Sequence, residues 1–322
     1  MKDKISNILK QANIPFENFS FLSLEGGANN RVYKITLDND KAFILKHYFH
    51  HKNDLRKRLI SEFCFSTFAW NNNIRCIPKP IFSLEKENLG LFSYVPGRLA
   101  NNNDLNENTI QKAVNFIIDL NKNKDKASNL PKASEACFSI NDHLNLVEKR
   151  IKNLTLISEI SQHHKTALDF VNNKLMPKWE KLKQPIYSND TISVEDMCVS
   201  PSDFGLHNVI IDNKNIYFID FEYAGWDDPA KIVCDFFCQP KISIPLSYFE
   251  KFAKDIASIT SNSKKCLERI NILFPVYQIK WCSIILNIFL KTEKTRRLFS
   301  KTQQDSKKQL DLAKSFLEKI KT

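Results

Sequence analysis

At 322 residues, with 43% hydrophobic and 26% charged residues, the chain is long enough for one large domain or two lobes, and its composition is ordinary for a globular protein. No run of about 18 uncharged apolar residues occurs, and the start "MKDKISNILKQANIPF" lacks the apolar core of a secretion signal; a membrane-spanning protein is not expected, and a cytoplasmic one is. The formal net charge of +11 comes from Lys and Arg scattered through Asn-, Lys- and Ile-rich sequence. There is no RNP-like aromatic motif, zinc-finger spacing or arginine-rich arm, so the charge reads as solvated basic faces and not as a nucleic-acid surface.

In chain order, a leading helix is followed by the strand-like runs "FLSLEGG", "NRVYKITL" and "KAFILKHYF", with the turn residues "DNDK" between the last two. "NDLRKRLISEFCFSTFAWNNN" carries Leu55, Leu59, Phe63 and Phe68 at helical spacing. "IPKPIFSLEKENLGLFSYVPG" then reads as two strands around a charged turn, giving the order strand, strand, strand, helix, strand, strand. Residues 98–190 look helical, beginning at an Asn/Asp cap in "NNNDLNENTIQKAV". A strand–loop–strand unit covers 192–240, and helices resume to the end. The eight cysteines include no CxxC pair; Cys234 and Cys238 share a helical face, but a metal site needs further ligands and His163 and His164 are far off in sequence, so buried thiols in a reducing compartment are expected, not a metal site.

Phosphoryl transfer needs a carboxylate for the hydroxyl proton, oxygen ligands for Mg²⁺, a Lys for the phosphate charge and a group that holds that Lys. The stretch "SPSDFGLHN" offers Asp203 to orient the acceptor hydroxyl and Asn208, five residues on, as a carbonyl ligand for Mg²⁺. The strands "VII" and "IYFI" around the "DNKN" turn form a hairpin that brings Asn208 and Asp220 to one end, where both can touch one ion. A bare Asp-x4-Asn is weak, since both residues favour turns; followed by a hairpin and "IDFE", it is specific.

The segment "SPSDFGLHNVII…IYFIDFEYAGWDDPAKIVCDF" resembles the catalytic segment of the aminoglycoside phosphotransferase and choline kinase-like superfamily, whose pattern is roughly HGDxxxxN, a hairpin, IDWE and then G-D-P. Glu222 matches its acidic residue after the metal Asp, and Asp235 a later Asp that is more often structural. "GGANNRVYKI" resembles the phosphate-covering hairpin, with Gly26 and Gly27 letting backbone N–H groups approach phosphate and Asn30 on the family's Asn. Lys46, closing a hydrophobic strand, falls where the ATP-positioning Lys belongs, and Glu62 in the next helix is its ion-pair partner. "GLFSYVPGRL" resembles the lobe-joining hinge, where backbone groups near Ser93 and Val95 would bond adenine.

The resemblance implies an α+β, bilobal protein-kinase-like fold: residues 1–95 as a small antiparallel-sheet lobe that binds nucleotide, 96–322 as a mainly helical lobe with the catalytic loop and acceptor helices. It implies ATP and Mg²⁺ as cofactors and a small molecule as the partner. Two departures stand out. The family's loop His, which braces the loop through hydrogen bonds, falls on Pro201 and its Gly on Ser202; Phe221 replaces a Trp. Neither removes the base or a metal ligand, so an active kinase is expected over a catalytically inactive nucleotide-binding relative. The acceptor pocket is expected to draw on Glu222, Tyr223, Trp226, Tyr277, Lys280 and Trp281, although aromatics at this spacing are more often core. The helices from 264 on are basic, which disfavours a polycationic aminoglycoside. Choline would want an aromatic cage with acids, and acids are sparse there. A neutral or anionic metabolite such as a sugar is therefore expected, with a choline- or ethanolamine-type amino alcohol as the alternative.

Overall fold

The computed structural model describes residues 1–24, 29–51, 54, 56–186, 190–291, 299 and 305–320. Two compact units divide the chain: Met1–Ser134, Pro201–Gly225 and Arg296–Thr302 form the first, and Glu135–Ser200, Trp226–Thr295 and Gln303–Thr322 the second. The lobe boundary expected at 95/96 falls inside the first unit.

The first unit is built on a five-stranded antiparallel sheet in the order β1-β2-β3-β5-β4. Its strands are β1 (Phe19–Leu24), β2 (Asn30–Leu37), β3 (Ala42–Tyr48), β4 (Pro80–Leu84) and β5 (Leu89–Ser93). Helix α1 (Lys2–Gln11) places Ile5, Ile8 and Leu9 at three- and four-residue spacing. That spacing puts all three on one stripe, which closes over Tyr33, Ile35, Phe43, Leu45, Leu89 and Leu91 of the sheet. Helix α2 (Arg58–Asn71) lies between β3 and β4 in the chain, so the strand and helix order expected from the sequence holds. Leu55, expected on α2, lies outside the described residues.

A second, three-stranded sheet joins β6 (Arg98–Leu99), β8 (Val209–Asp212) and β9 (Asn215–Phe218). Gly97 enters it at φ +115°, and a Cβ there would lie 2.3 Å from the Ile211 carbonyl oxygen, so only glycine lets β6 pair at this distance. Asn213 takes a positive φ of 52° in the β8–β9 turn, a conformation Asn tolerates. Helix α3 (Glu107–Asn121) starts where the Asn106 side chain accepts from the Thr109 N–H at 3.0 Å, as the Asn-rich cap predicts.

The second unit is mainly helical. It holds α4 (Ile140–Leu154), α5 (Gln162–Phe170), α6 (Met176–Lys183), α7 (Pro229–Cys238), α8 (Phe249–Ala257), α9 (Ser263–Ile285) and α10 (Ser306–Glu318), and the short strand β7 (Cys198–Ser200) pairs with β10 (Gly225–Asp227). The sequence pattern runs straight through 162–183, but a π turn at Val171–Leu175 separates α5 from α6. Pro177 sits at the start of α6, where its missing N–H and its ring would break an uninterrupted α ladder. Ser263–Phe289 is long and apolar enough to cross a membrane, yet 61% of its most apolar window is buried in the protein. Val276, Ile279, Cys282 and Leu286 from this stretch pack with Val147, Ile151, Trp179, Leu310 and Leu317, which makes it a core helix.

Candidate active site

Lys46 is set by strand register. It lies opposite Val32 on one side and Gly90 on the other, near the end of β3. Its ammonium donates to Glu62 Oε1 at 2.7 Å and to Asp220 Oδ1 at 2.9 Å. Tyr48, two residues along and hence on the same face, donates its hydroxyl to Glu62 Oε2 at 2.7 Å. Burial opposes the charge on Lys46, but the Asp220 and Glu62 carboxylates outweigh it and hold the ammonium well above the ordinary lysine range. Burial also lifts the Glu62 carboxyl above its ordinary range, against the pull of Lys46. Sequence reasoning missed Tyr48; its position two residues beyond Lys46 was the available signal.

A buried aromatic chain fixes where the acidic residues stand. Phe204 follows Asp203 and Phe221 follows Asp220. The Phe204 ring lies tilted against Phe116 of α3 at 5.9 Å, Phe116 lies 6.1 Å from Phe221, and Phe221 meets Phe65 of α2 at 4.6 Å. Phe65 and Glu62 share one face of α2 at i, i+3. The elements carrying Glu62, Asp203 and Asp220 are thus anchored through one apolar cluster in the first unit.

The hairpin behaves as the spacing predicts. The Ile219 N–H donates to the Asn208 carbonyl at 3.0 Å, which brings Asn208 and Asp220 to one end of β8–β9. Asn208 Nδ2 donates to the Asp203 carbonyl at 3.0 Å, so the amide oxygen is the group left to face an ion. Asp220 is held at φ +70° and Ser202 at φ +65°, unusual for non-glycine residues and typical of strained functional positions. Ser202 is the position where the resembling family has Gly, which takes this conformation freely.

Glu222 is buried and bonded by both Asn29 Nδ2 and Asn30 Nδ2, the second at 3.3 Å. The amides favour its charged form, yet burial and the neighbouring Asp220 charge push its carboxyl up to about 8. Asn29 is a second residue that sequence reasoning missed, adjacent to the Asn30 it singled out. Gly26 and Gly27 lie outside the described residues. The Ser93 N–H donates to the Lys79 carbonyl at 2.9 Å, and its hydroxyl accepts from the Lys79 N–H at 2.8 Å, so the Ser93 N–H is engaged within the protein at the sheet edge. Val95 is buried beyond the end of β5. The Tyr223 ring lies 5.7 and 5.8 Å from the Arg56 and Arg58 guanidinium carbons.

The remaining acceptor candidates lie in the second unit. Trp226 is on β10 and half-buried. Tyr277, Lys280 and Trp281 are all buried on α9. The Lys280 ammonium lies 4.5 Å above the Tyr277 ring centre and bonds both Asp235 oxygens at 2.9 and 3.1 Å. Trp281 Nε1 donates to the same carboxylate at 2.7 Å. The acids thought sparse here are present but buried: Asp227 is bonded by Lys231, Asp228 by Arg269 at 2.5 Å and by His143 at 3.1 Å, and Asp235 by Lys280.

The donor set fits Mg²⁺: Asp220 and Asn208 offer hard oxygens on one hairpin end, and a Mg²⁺ in such sites takes one or two protein ligands with phosphates and water completing its shell. Among the described residues no cluster of three or more His, Cys, Asp or Glu forms a self-sufficient metal cage.

A family model described as "Phosphotransferase enzyme family" matches residues 20–237. No curated protein sequence matches the chain. Among solved structures, a choline kinase from Cryptosporidium parvum Iowa II superposes with a TM-score of 0.60 at 14% identity, covering 98% of each chain. A choline/ethanolamine kinase family protein from Mesorhizobium loti gives 0.62 at 11% identity over 99% of this chain and 94% of the other. A spectinomycin phosphotransferase in complex with ADP and spectinomycin gives 0.60 at 12% identity, covering 98% of each. At these identities the likeness establishes the fold, which is the expected protein-kinase-like one.

Proposed function

The chain belongs to the phosphotransferase enzyme family, and on that premise we propose that it moves the γ-phosphoryl group of ATP, with Mg²⁺, to the hydroxyl of a small neutral or anionic metabolite such as a sugar or sugar derivative. The observation that carries the reading is the Lys46 ammonium held between Glu62 and Asp220, in the same unit as Asp203 and Asn208. Lys46 would neutralise phosphate charge, and Glu62 and Tyr48 would keep it in place. Asp220 and Asn208 would hold Mg²⁺, which would supply further charge neutralisation on the phosphates. Asp203 takes the acceptor hydroxyl's proton. The hydroxyl oxygen bonds to the γ-phosphorus, the bond from that phosphorus to the bridging oxygen breaks, and ADP leaves.

The neutral or anionic acceptor is supported by Lys280. The face of Tyr277 and the Asp235 carboxylate are what an onium ligand would need, and the protein's own ammonium already occupies them. The structural neighbours name choline, ethanolamine and spectinomycin among their partners, so the fold itself does not choose the acceptor. A metabolite panel with ATP, read by mass spectrometry with Asp203→Asn as the blank, tests the reading. A phosphorylated sugar-type product is expected. Turnover stimulated by choline or an aminoglycoside and by no sugar would contradict the acceptor class.

A further inference from the structure

One basic side chain beside Asp203 has no part in the reaction described above. His207 lies on the single 3₁₀ turn Leu206–Asn208. Its Nε2 is 3.5 Å from Asp203 Oδ1. Its Nδ1 is buried without a hydrogen-bond partner. The ring is largely enclosed, its side chain 9% exposed, whereas the Asp203 side chain is 36% exposed.

Pro201 carries no N–H and no side-chain donor. Ser202 is in the left-handed region, and the Phe204 N–H closes a tight turn on the Ser202 carbonyl at 2.7 Å with Asp203 at its apex. His207, four residues on, stands on the exposed carboxylate's flank.

We propose that His207 is a positioning residue for Asp203: it donates from Nε2 to Oδ1 and leaves Oδ2 to receive the acceptor hydroxyl's proton. The tautomer follows from the surroundings. A hydrogen on Nδ1 would be a buried donor with no acceptor, so the hydrogen belongs on Nε2, facing the carboxylate. At 3.5 Å the contact is long for a hydrogen bond, as catalytic contacts often are before substrate binds, and it shortens when the acceptor fixes the carboxylate. The loop is then braced from its C-terminal side, in a chain whose N-terminal side holds Pro201. His207 touches no reacting atom; it acts through Asp203. The assignment rests on the kinase reading of Asp203.

The test is steady-state kinetics of His207→Ala and His207→Gln, using transfer to water as the measured reaction if no acceptor has been found. His207→Ala should lower kcat on the order of 100-fold, the size of a misplaced catalytic group, with KM for ATP within about 2-fold. His207→Gln, whose amide can reach the same oxygen, should recover most of that loss. In an Asp203→Asn background, His207→Ala should cause no further loss. A purely structural histidine would instead lower the melting temperature and the folded fraction with kcat per folded molecule unchanged, and that result overturns the proposal. If the wild-type protein turns over no ATP at all, the kinase reading fails, and nitrogen-15 spectra of the His207 ring decide the geometry. An Nε2–H tautomer whose shifts move on Asp203→Asn supports the contact; an Nδ1–H tautomer indifferent to that change contradicts it.

Discussion

Lys46 and Glu62, sixteen residues apart on β3 and α2, meet at 2.7 Å in a buried ion pair. Glu62 also accepts from Tyr48, so it is fixed by two donors while Lys46 keeps a second carboxylate in Asp220. The pair thus turns the position of α2 into the position of the ammonium.

Removing Glu62 should therefore affect both fold and turnover. Breaking a buried pair by deleting one partner costs about 3–5 kcal/mol, and Asp220 still facing Lys46 places Glu62→Gln at the low end of that range. On the proposed reading of Lys46 as the group that neutralises phosphate, ATP turnover should fall at least roughly 10-fold with KM for ATP raised. Denaturant melts and ATP kinetics on the same preparation check both effects.

Glu222 gives a stability signature in pH. Its folded carboxyl titrates at about 8 against an ordinary 4.5, so between these values the folded protein keeps a proton that the unfolded chain has released. Stability from this group is complete below pH 4.5 and is lost as pH rises through 8, because the folded state binds more protons in that window. Melting temperatures across this range should decline in the wild type, and Glu222→Gln should flatten the decline. An unchanged slope in the variant would assign the pH dependence elsewhere.

Lys280 fills the Tyr277 and Asp235 box from within. Lys280→Ala should cost about 3 kcal/mol, since Asp235 is left buried with Lys231 4.0 Å away as its remaining cation. Methylammonium should restore part of the lost melting temperature in the variant and leave the wild type unmoved, because only the variant has an ammonium-sized vacancy beside that carboxylate.

Much of this was legible in the sequence because it depends on local period and spacing. Alternation fixed the five strands of the sheet, and the interval from Asn208 through the "DNKN" turn to Asp220 fixed the hairpin end. Long-range partnerships were not legible. Helical spacing puts Tyr277, Lys280 and Trp281 near one another, but nothing in it says that Asp235, 45 residues earlier, draws Lys280 inward. Counting acids along the chain likewise undervalued Asp227, Asp228 and Asp235, because a count carries no burial. The π turn before Pro177 and the sheet bond made by Ser93 depend on backbone geometry that residue type only hints at.

The central claim is that Asp203 and Asp220 divide the work of phosphoryl transfer. The most direct test measures Mg-ATP binding and turnover for the wild type, Asp203→Asn and Asp220→Ala side by side. The account predicts that Asp203→Asn binds Mg-ATP within about 3-fold of wild type while turnover falls by roughly 100-fold or more, and that Asp220→Ala loses the Mg²⁺-dependent part of binding. A wild-type protein that binds no nucleotide, or an Asp203→Asn variant that turns over ATP at the wild-type rate, would contradict it.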